Sequence, residues 1–224
     1  MAVQQKIMKE SLRVGILLTA TAGFVDSYTF AFHDARFASF QSGNLLQFGV
    51  NLAAGNFSKA MIFFWPITFF MIGAGLNQLV KRYRFINDIQ WEELSVLIEA
   101  FGVAIVAILE VLHFPAEVNL SILAMFMSIQ ADTFSKLRGA PYATIMSTGN
   151  LKTLGAMLAS FLISHDKASL KKARNIFIVI LGFIGGAIVA HFIGMAVHGW
   201  AMFVPVGLLL LIWWNIRADR LIEA

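Results

Sequence analysis

Cysteine is absent from the 224 residues, which excludes disulfides, thiolate metal sites and cysteine nucleophiles. Charge is also scarce: 13% of residues are Asp, Glu, Lys or Arg, against 58% hydrophobic. Soluble domains carry about 25% charged residues, and a mean hydropathy of +0.75 leaves no stretch from which a soluble domain could be built. The signatures of hydrolytic chemistry are missing too, since there is neither a Gly-x-Ser-x-Gly elbow nor a His-Glu-x-x-His helix. The expectation is therefore a protein that is not an enzyme, with no cofactor and no metal. The formal net charge of +4 comes from short Lys and Arg clusters at the ends of apolar runs. That pattern orients a chain in a bilayer and does not predict binding to nucleic acid.

What the sequence has in abundance is apolar runs of about 20 residues, the length that crosses roughly 30 Å of hydrocarbon as a helix. Six are continuous: 14–32, 60–80, 94–114, 118–135, 176–197 and 200–216. Lys6, Lys9 and Arg13 ahead of a run ending in Ala20-Thr21-Ala22 imitate a cleavable leader, but the run continues through Phe32 and has a counterpart later in the chain. Two further segments, 37–54 and 142–163, are less uniform, each with a Ser/Thr-Gly-Asn tripeptide in its middle.

Shifting the chain against itself by 106 positions aligns Asp26 with Asp132, Gly43-Asn44-Leu45 with Gly149-Asn150-Leu151, and Gly49 with Gly155. Past a six-residue insertion, Gly73-Ala74-Gly75 falls opposite Gly185-Gly186-Ala187. An internal duplication accounts for this, with one repeat over 12–114 and the other over 116–217, inside a single integral membrane domain spanning 1–224. Basic residues mark the cytoplasmic side. Lys6, Lys9 and Arg13 place the N-terminus there, and Lys81, Arg82 and Arg84 place the loop after 60–80 there as well. Three full crossings cannot do that, so 37–54 must enter and leave on one side.

The expected fold is thus an all-α membrane protein of six transmembrane helices plus two re-entrant half-helix segments, arranged as an inverted internal repeat. It lies in the inner membrane with N- and C-termini in the cytoplasm. A rival count of eight crossings with parallel repeats strands Lys81, Arg82, Arg84, Lys136 and Arg138 outside.

The two tripeptides are the candidate binding residues: Ser42, Gly43 and Asn44, with Thr148, Gly149 and Asn150. Glycine permits a turn, and Ser, Thr and Asn cap helix starts, so both turns are expected at mid-depth with helix N-termini facing an anion or a neutral oxygen. Non-helical backbone survives there only where it is buried or lines a cavity. Asp26 and Asp132 are the intramembrane carboxylates, and an unpaired one costs about 2.5–3.5 kcal/mol on insertion scales. Each either carries a proton or cation or braces the neighbouring loop. Glu99 and Glu110 have no counterpart in the other repeat, where Pro205 and Ile216 stand, which points to a specialised role such as protonation. His191, Asn77 and Gln78 read as helix-packing hydrogen bonders, and His33, His113, His165 and His198 as span-edge residues. Gly182, Gly186, Ala190 and Gly194 form a close-packing face, within one subunit or across a homodimer.

The chain resembles the YoaK-like family of uncharacterised bacterial multi-pass membrane proteins. The resemblance rests on Ala22-Gly23-Phe24-Val25-Asp26, Phe40-Gln41-Ser42-Gly43-Asn44 and Ser147-Thr148-Gly149-Asn150-Leu151, with Ser42 where the family commonly has Thr. It implies a multi-pass inner-membrane protein and brings no substrate or catalytic residue. The functional expectation is a secondary transporter or channel for a small neutral or anionic solute, with its site at the midplane between the repeats. The alternative is a membrane scaffold or assembly protein that transports nothing.

Overall fold

A computed structural model describes the backbone of residues 8–83 and 89–223 and the side chains within 9–82 and 89–218; Lys6, Arg84 and the side chain of Arg220 lie outside the described residues. Eight α-helices make up nearly all of it: α1 Leu12–Phe32, α2 Gln41–Ala53, α3 Phe57–Tyr83, α4 Trp91–Val111, α5 Ala116–Thr133, α6 Ser147–Ser164, α7 Lys167–Val197 and α8 Phe203–Glu223. A two-residue β-hairpin, β1 Lys136–Leu137 with β2 Ala140–Pro141, sits between α5 and α6.

Four helical stretches are long and apolar enough to cross a membrane: Leu12–Phe32, Phe57–Arg82, Trp91–Val111 and Lys167–Ala218, the last containing α7 and most of α8. The expected span at 118–135 is not among them. It ends at Thr133 as α5, and its buried Asn119, Ser121, Ser128 and Gln130 dilute its hydropathy. Those groups are tolerated because α5 packs against α1, α3 and α4 instead of facing lipid.

The other packing pairs are α1 with α7, α2 with α3, α6 with α7, α4 with α8, and α1 with α8. Their directions follow from contacts along each pair. Glycines of α7 meet α1 in rising order, Gly182 at Ile16 and Thr19, Gly186 at the Ala20 backbone and Gly194 at Phe32, so these two helices run parallel. Helices α3 and α5 are parallel too, with Gly73 against Met125 and Ser128, and Asn77 against Asp132. Helices α1 and α5 are antiparallel: Glu10 accepts from the Gly139 N–H at one end, Gln130 donates to the Leu18 carbonyl midway, and Arg36 meets Glu117 at the other end.

These directions gather most of the basic residues at one end. The end that holds the start of α1 also holds Lys9, Arg13, Lys81, Arg82, Lys136, Arg138, Lys167, Lys171, Lys172, Arg174 and Arg217. We call this the basic end. Arg36 and Lys59 lie at the far end, where α1 finishes and α3 begins.

The close-packing glycine face is spent inside the chain. A Cβ at Gly186 would collide with the Ala20 backbone, and one at Gly23 with the Phe183 backbone. The absence of side chains there lets α1 and α7 touch main chain to main chain. Gly23→Leu or Gly186→Leu should therefore destabilise the protein by about 1–3 kcal/mol or more through overpacking. Gly49→Leu, where nothing lies within 4 Å of an added Cβ, should leave the thermal unfolding midpoint in detergent nearly unchanged.

Candidate functional site

Between α1 and α2 the chain is irregular over residues 33–40, and between α5 and α6 over most of 134–146. Backbone there cannot satisfy itself through a helix. Asn44 does so from the first turn of α2, where it is fully buried. Its side-chain oxygen accepts from the Phe37 N–H at 3.1 Å and its amide donates to the Phe37 carbonyl at 2.7 Å and to Gln41 Oε1 at 2.8 Å. Asn150 repeats the arrangement in α6, accepting from the Ala143 N–H at 3.0 Å and donating to the Ala143 carbonyl at 2.7 Å. One carboxamide thus pairs with both polar groups of one loop residue, as a neighbouring strand would.

This corrects two expectations. The Ser/Thr-Gly-Asn tripeptides do not sit at the turn, nor do they cap it. The irregular backbone lies upstream, and the tripeptides form the first turn of helices that begin at Gln41 and Ser147, without a side-chain cap. Counting the tripeptide into the helix lengthens each: at 1.5 Å per residue, α2 is about 20 Å and α6 about 27 Å long, so α6 exceeds half a bilayer. Gly43 is required by packing, since a Cβ there would press on the Phe37 and Phe40 rings; Gly149 faces open space. Ser42, next to Gly43, and Thr148, next to Gly149, are both exposed in the first turns of α2 and α6.

The two aspartates have different partners. Asp26, buried in α1, accepts from the Ser39 N–H at 2.7 Å and the Ser39 hydroxyl at 2.6 Å, so it braces the loop leading into α2. Asp132, partly exposed near the end of α5, accepts from Asn77 at 2.6 Å and Gln78 at 2.8 Å of α3, with Lys81 Nζ 3.8 Å away. The reason is local. The position 106 beyond Ser39 is Ile145, which offers no hydroxyl, while Val189 and Ala190 stand in α7 where Asn77 and Gln78 stand in α3. Asn77 and Gln78 thus act as the expected helix-packing donors, whereas His191 is exposed and only its ring edge meets Phe192.

At the far end Glu110 is the centre of a network. It accepts from Tyr28 at 3.1 Å and Asn119 at 2.8 Å, and His33 Nε2 lies 3.0 Å from its carboxylate. His33 is therefore more than a span-edge residue. Arg36, 1% exposed, reaches Glu117 at 3.0 Å, Asp34 at 3.3 Å and the His33 carbonyl at 3.0 Å. Arg36, Ser39, Tyr28 and Glu117 were not legible as partners, because each is distant in sequence or unremarkable in type. Glu99 stands apart in α4, fully buried and with no hydrogen bond to either oxygen among the described residues. The structure does not bring Glu99, Glu110, Asp26 and Asp132 together, and among the described residues no group of three or more His, Asp or Glu could hold a metal.

The family described as protein of unknown function (DUF1275) matches residues 14–214. The chain belongs to that family, and its resemblance to the YoaK-like membrane proteins agrees with it. Nothing among curated proteins or solved structures matches the chain.

Removing either carboxamide leaves the N–H and C=O of a partly buried loop residue without their partner, each costing up to about 1–3 kcal/mol. Asn44→Ala and Asn150→Ala should each lower the thermal midpoint by roughly 5–10 °C, at about 2–4 °C per kcal/mol for a chain of this size. Asp26→Asn, which turns an amide toward the Ser39 donors, should cost more than Asp132→Asn, whose partners are rotatable side-chain amides. Parallel melting of the four variants in one detergent checks both rankings.

Proposed function

We propose that this DUF1275-family chain is a secondary transporter or channel for a small neutral or anionic solute, with its path between two inverted halves at the Asn-clamped starts of α2 and α6. The observation that carries the reading is the pair of clamps, Asn44 on residue 37 and Asn150 on residue 143, each spanning seven residues and lying 106 positions apart.

The packing supports an exchange of halves. Replace α1 by α5, α2 by α6, α3 by α7 and α4 by α8, and the pair α1–α7 becomes α5–α3, α2–α3 becomes α6–α7, and α4–α5 becomes α8–α1. The antiparallel course of α1 and α5 supports inversion. Helix α1 ends at the far end and α3, parallel to α5, begins there, which favours a re-entrant course for α2. By the same reasoning α6 leaves from and returns to the basic end. Inverted repeats with discontinuous helices are a recurring plan of secondary transporters, with solute bound where the broken helices meet.

The chemistry offered there is mostly main chain. With both Asn side chains committed to the loops and the Gly43 N–H bonded to the Phe40 carbonyl, the available donors are first-turn N–H groups near Ser42, Thr148 and Gly149, which favour the oxygen of a neutral or anionic solute over a bare cation. Asp26 braces this region, and Asp132, Glu99 and Glu110 are the groups through which a proton or coupling ion would act. The basic end faces the cytoplasm of a plasma-membrane protein under the positive-inside bias. The reading includes no enzymatic step.

One observation favours the second reading, a scaffold that transports nothing: both carboxamides are used up within the chain. A screen of small solutes separates the two, since a transported solute stabilises the folded protein by mass action and a scaffold melts at one temperature throughout. For the course of α2, single cysteines at Lys59 and Lys81 should react with a membrane-impermeant maleimide from opposite sides, Lys59→Cys from outside and Lys81→Cys from the cytoplasmic side. The reverse result would overturn that orientation, and reaction of Lys9→Cys and Lys81→Cys from opposite sides would establish eight crossings and dismiss the inverted plan.

A further inference from the structure

A cavity of about 820 Å³ lies at the basic end, apart from the clamps, between the start of α1, the β-hairpin, α6 and the first turns of α7. Pockets of about 300–1,000 Å³ are the usual size for small-molecule ligands. Its rim carries three cations, Arg138 from the hairpin and Lys171 and Lys172 from α7, none in an ion pair among the described residues. The single acidic residue in its wall, Glu10, already accepts the Gly139 N–H at 2.8 Å. Asn175, 5% exposed, lines the cavity, with its side-chain oxygen 3.4 Å from Arg138 and no hydrogen bond from its Nδ2 among the described residues. The deeper wall is apolar, through Met157 and Ile176.

We propose that this cavity binds the phosphate headgroup of an anionic phospholipid from the leaflet at the basic end. Arg138, Lys171 and Lys172 hold the phosphate, Asn175 donates to one of its oxygens, and Met157 and Ile176 meet the glycerol and the first acyl carbons. Length argues for a leaflet origin. Helix α7 has 31 residues, about 46 Å at 1.5 Å per residue, against roughly 30 Å of hydrocarbon. Its first turns therefore stand at headgroup level. Asp166 begins them: the Ser169 hydroxyl and the Ala168 and Ser169 N–H groups bond its carboxylate and hold it below its usual range. The surface beside the cavity is continuous with the acyl region, through exposed Leu158, Leu162 and Ile163 of α6 and Leu170 of α7. Basic pockets between helices on the cytoplasmic side are suited to anionic headgroups by charge and depth. The proposal does not depend on transport.

The test uses the full chain, delipidated in uncharged detergent, with phosphatidylglycerol, phosphatidylcholine or glycerol 3-phosphate added, reading the thermal midpoint and the bound mass by native mass spectrometry. Phosphatidylglycerol should raise the midpoint by several degrees and remain bound as a discrete adduct, less so at 0.5 M salt. Lys171→Gln with Lys172→Gln should weaken its apparent affinity about tenfold or more, whereas Lys167→Gln, outside the cavity wall, should not. If the double variant does not fold, Arg138→Gln, an exposed rim position, gives the same reading with a smaller loss. Equal stabilisation by phosphatidylcholine, or full phosphatidylglycerol binding by the rim variants, would overturn the proposal. Stabilisation by glycerol 3-phosphate with nothing added by the lipid would overturn the leaflet origin and assign the cavity to a soluble phosphate.

Discussion

A backbone amide away from water must find a partner inside the protein, and two irregular segments in an otherwise helical bundle make that requirement acute. Each unpaired group in hydrocarbon costs several kcal/mol. The carboxamides of Asn44 and Asn150 meet it at the same place in each segment, pairing with the N–H and C=O of residues 37 and 143. Much of the architecture follows from this local solution. Because the chain can break before α2 and before α6, α3 can start at the far end beside α5, and α7 at the basic end beside α1. Helices α1 and α3 thus run in opposite directions, as do α5 and α7, with α2 and α6 between them in sequence. The main-chain contact of Gly23 and Gly186 across α1 and α7 depends in turn on that placement.

Much of this was legible in the sequence because it rests on residues that are costly in lipid or sterically special. The Gly-Asn pair recurring at 106 positions marks the two asparagines that pair with the irregular segments. Asp26 stands out in the same way, and the Gly182, Gly186, Gly194 series belongs to packing within the chain. What misled was the assumption that a Gly-Asn pair marks the turn itself. Asn can cap its own helix or reach back seven residues, and composition does not distinguish the two because both satisfy the same donors. Partners were illegible wherever they came from another helix. Nothing in the type or spacing of Ser39, Tyr28 or Glu117 announces that it will meet Asp26, Glu110 or Arg36. Hydropathy along the sequence makes 118–135 a span, and its stripe of small polar residues, Ser121 and Ser128 among them, marks the face that the other helices enclose.

The two halves agree in backbone plan and disagree in side chains. Asp26 holds a loop through Ser39, while its counterpart Asp132 holds a helix through Asn77 and Gln78. The loop clamp is the same at both places, while the partners of the two aspartates differ. The aspartates are therefore poor candidates for a symmetric pair with one common role. Glu99 and Glu110 sharpen the asymmetry, since one is enclosed without a hydrogen bond and the other is held by Tyr28 and Asn119 beside His33.

The ends diverge further still. At the far end Arg36 is buried and bonded by Glu117, Asp34 and a main-chain carbonyl, so its charge is neutralised within the protein. At the basic end several cations face outward with no ion partner among the described residues, around a cavity large enough for a ligand. A charge satisfied internally stabilises the fold and has little left to offer a ligand; a charge left over can attract an anion from outside. The charge is therefore distributed unequally: the buried arginine of the far end is held within the protein, while cations of the basic end surround a cavity able to hold phosphate, and that difference gives the molecule a direction its helices alone do not.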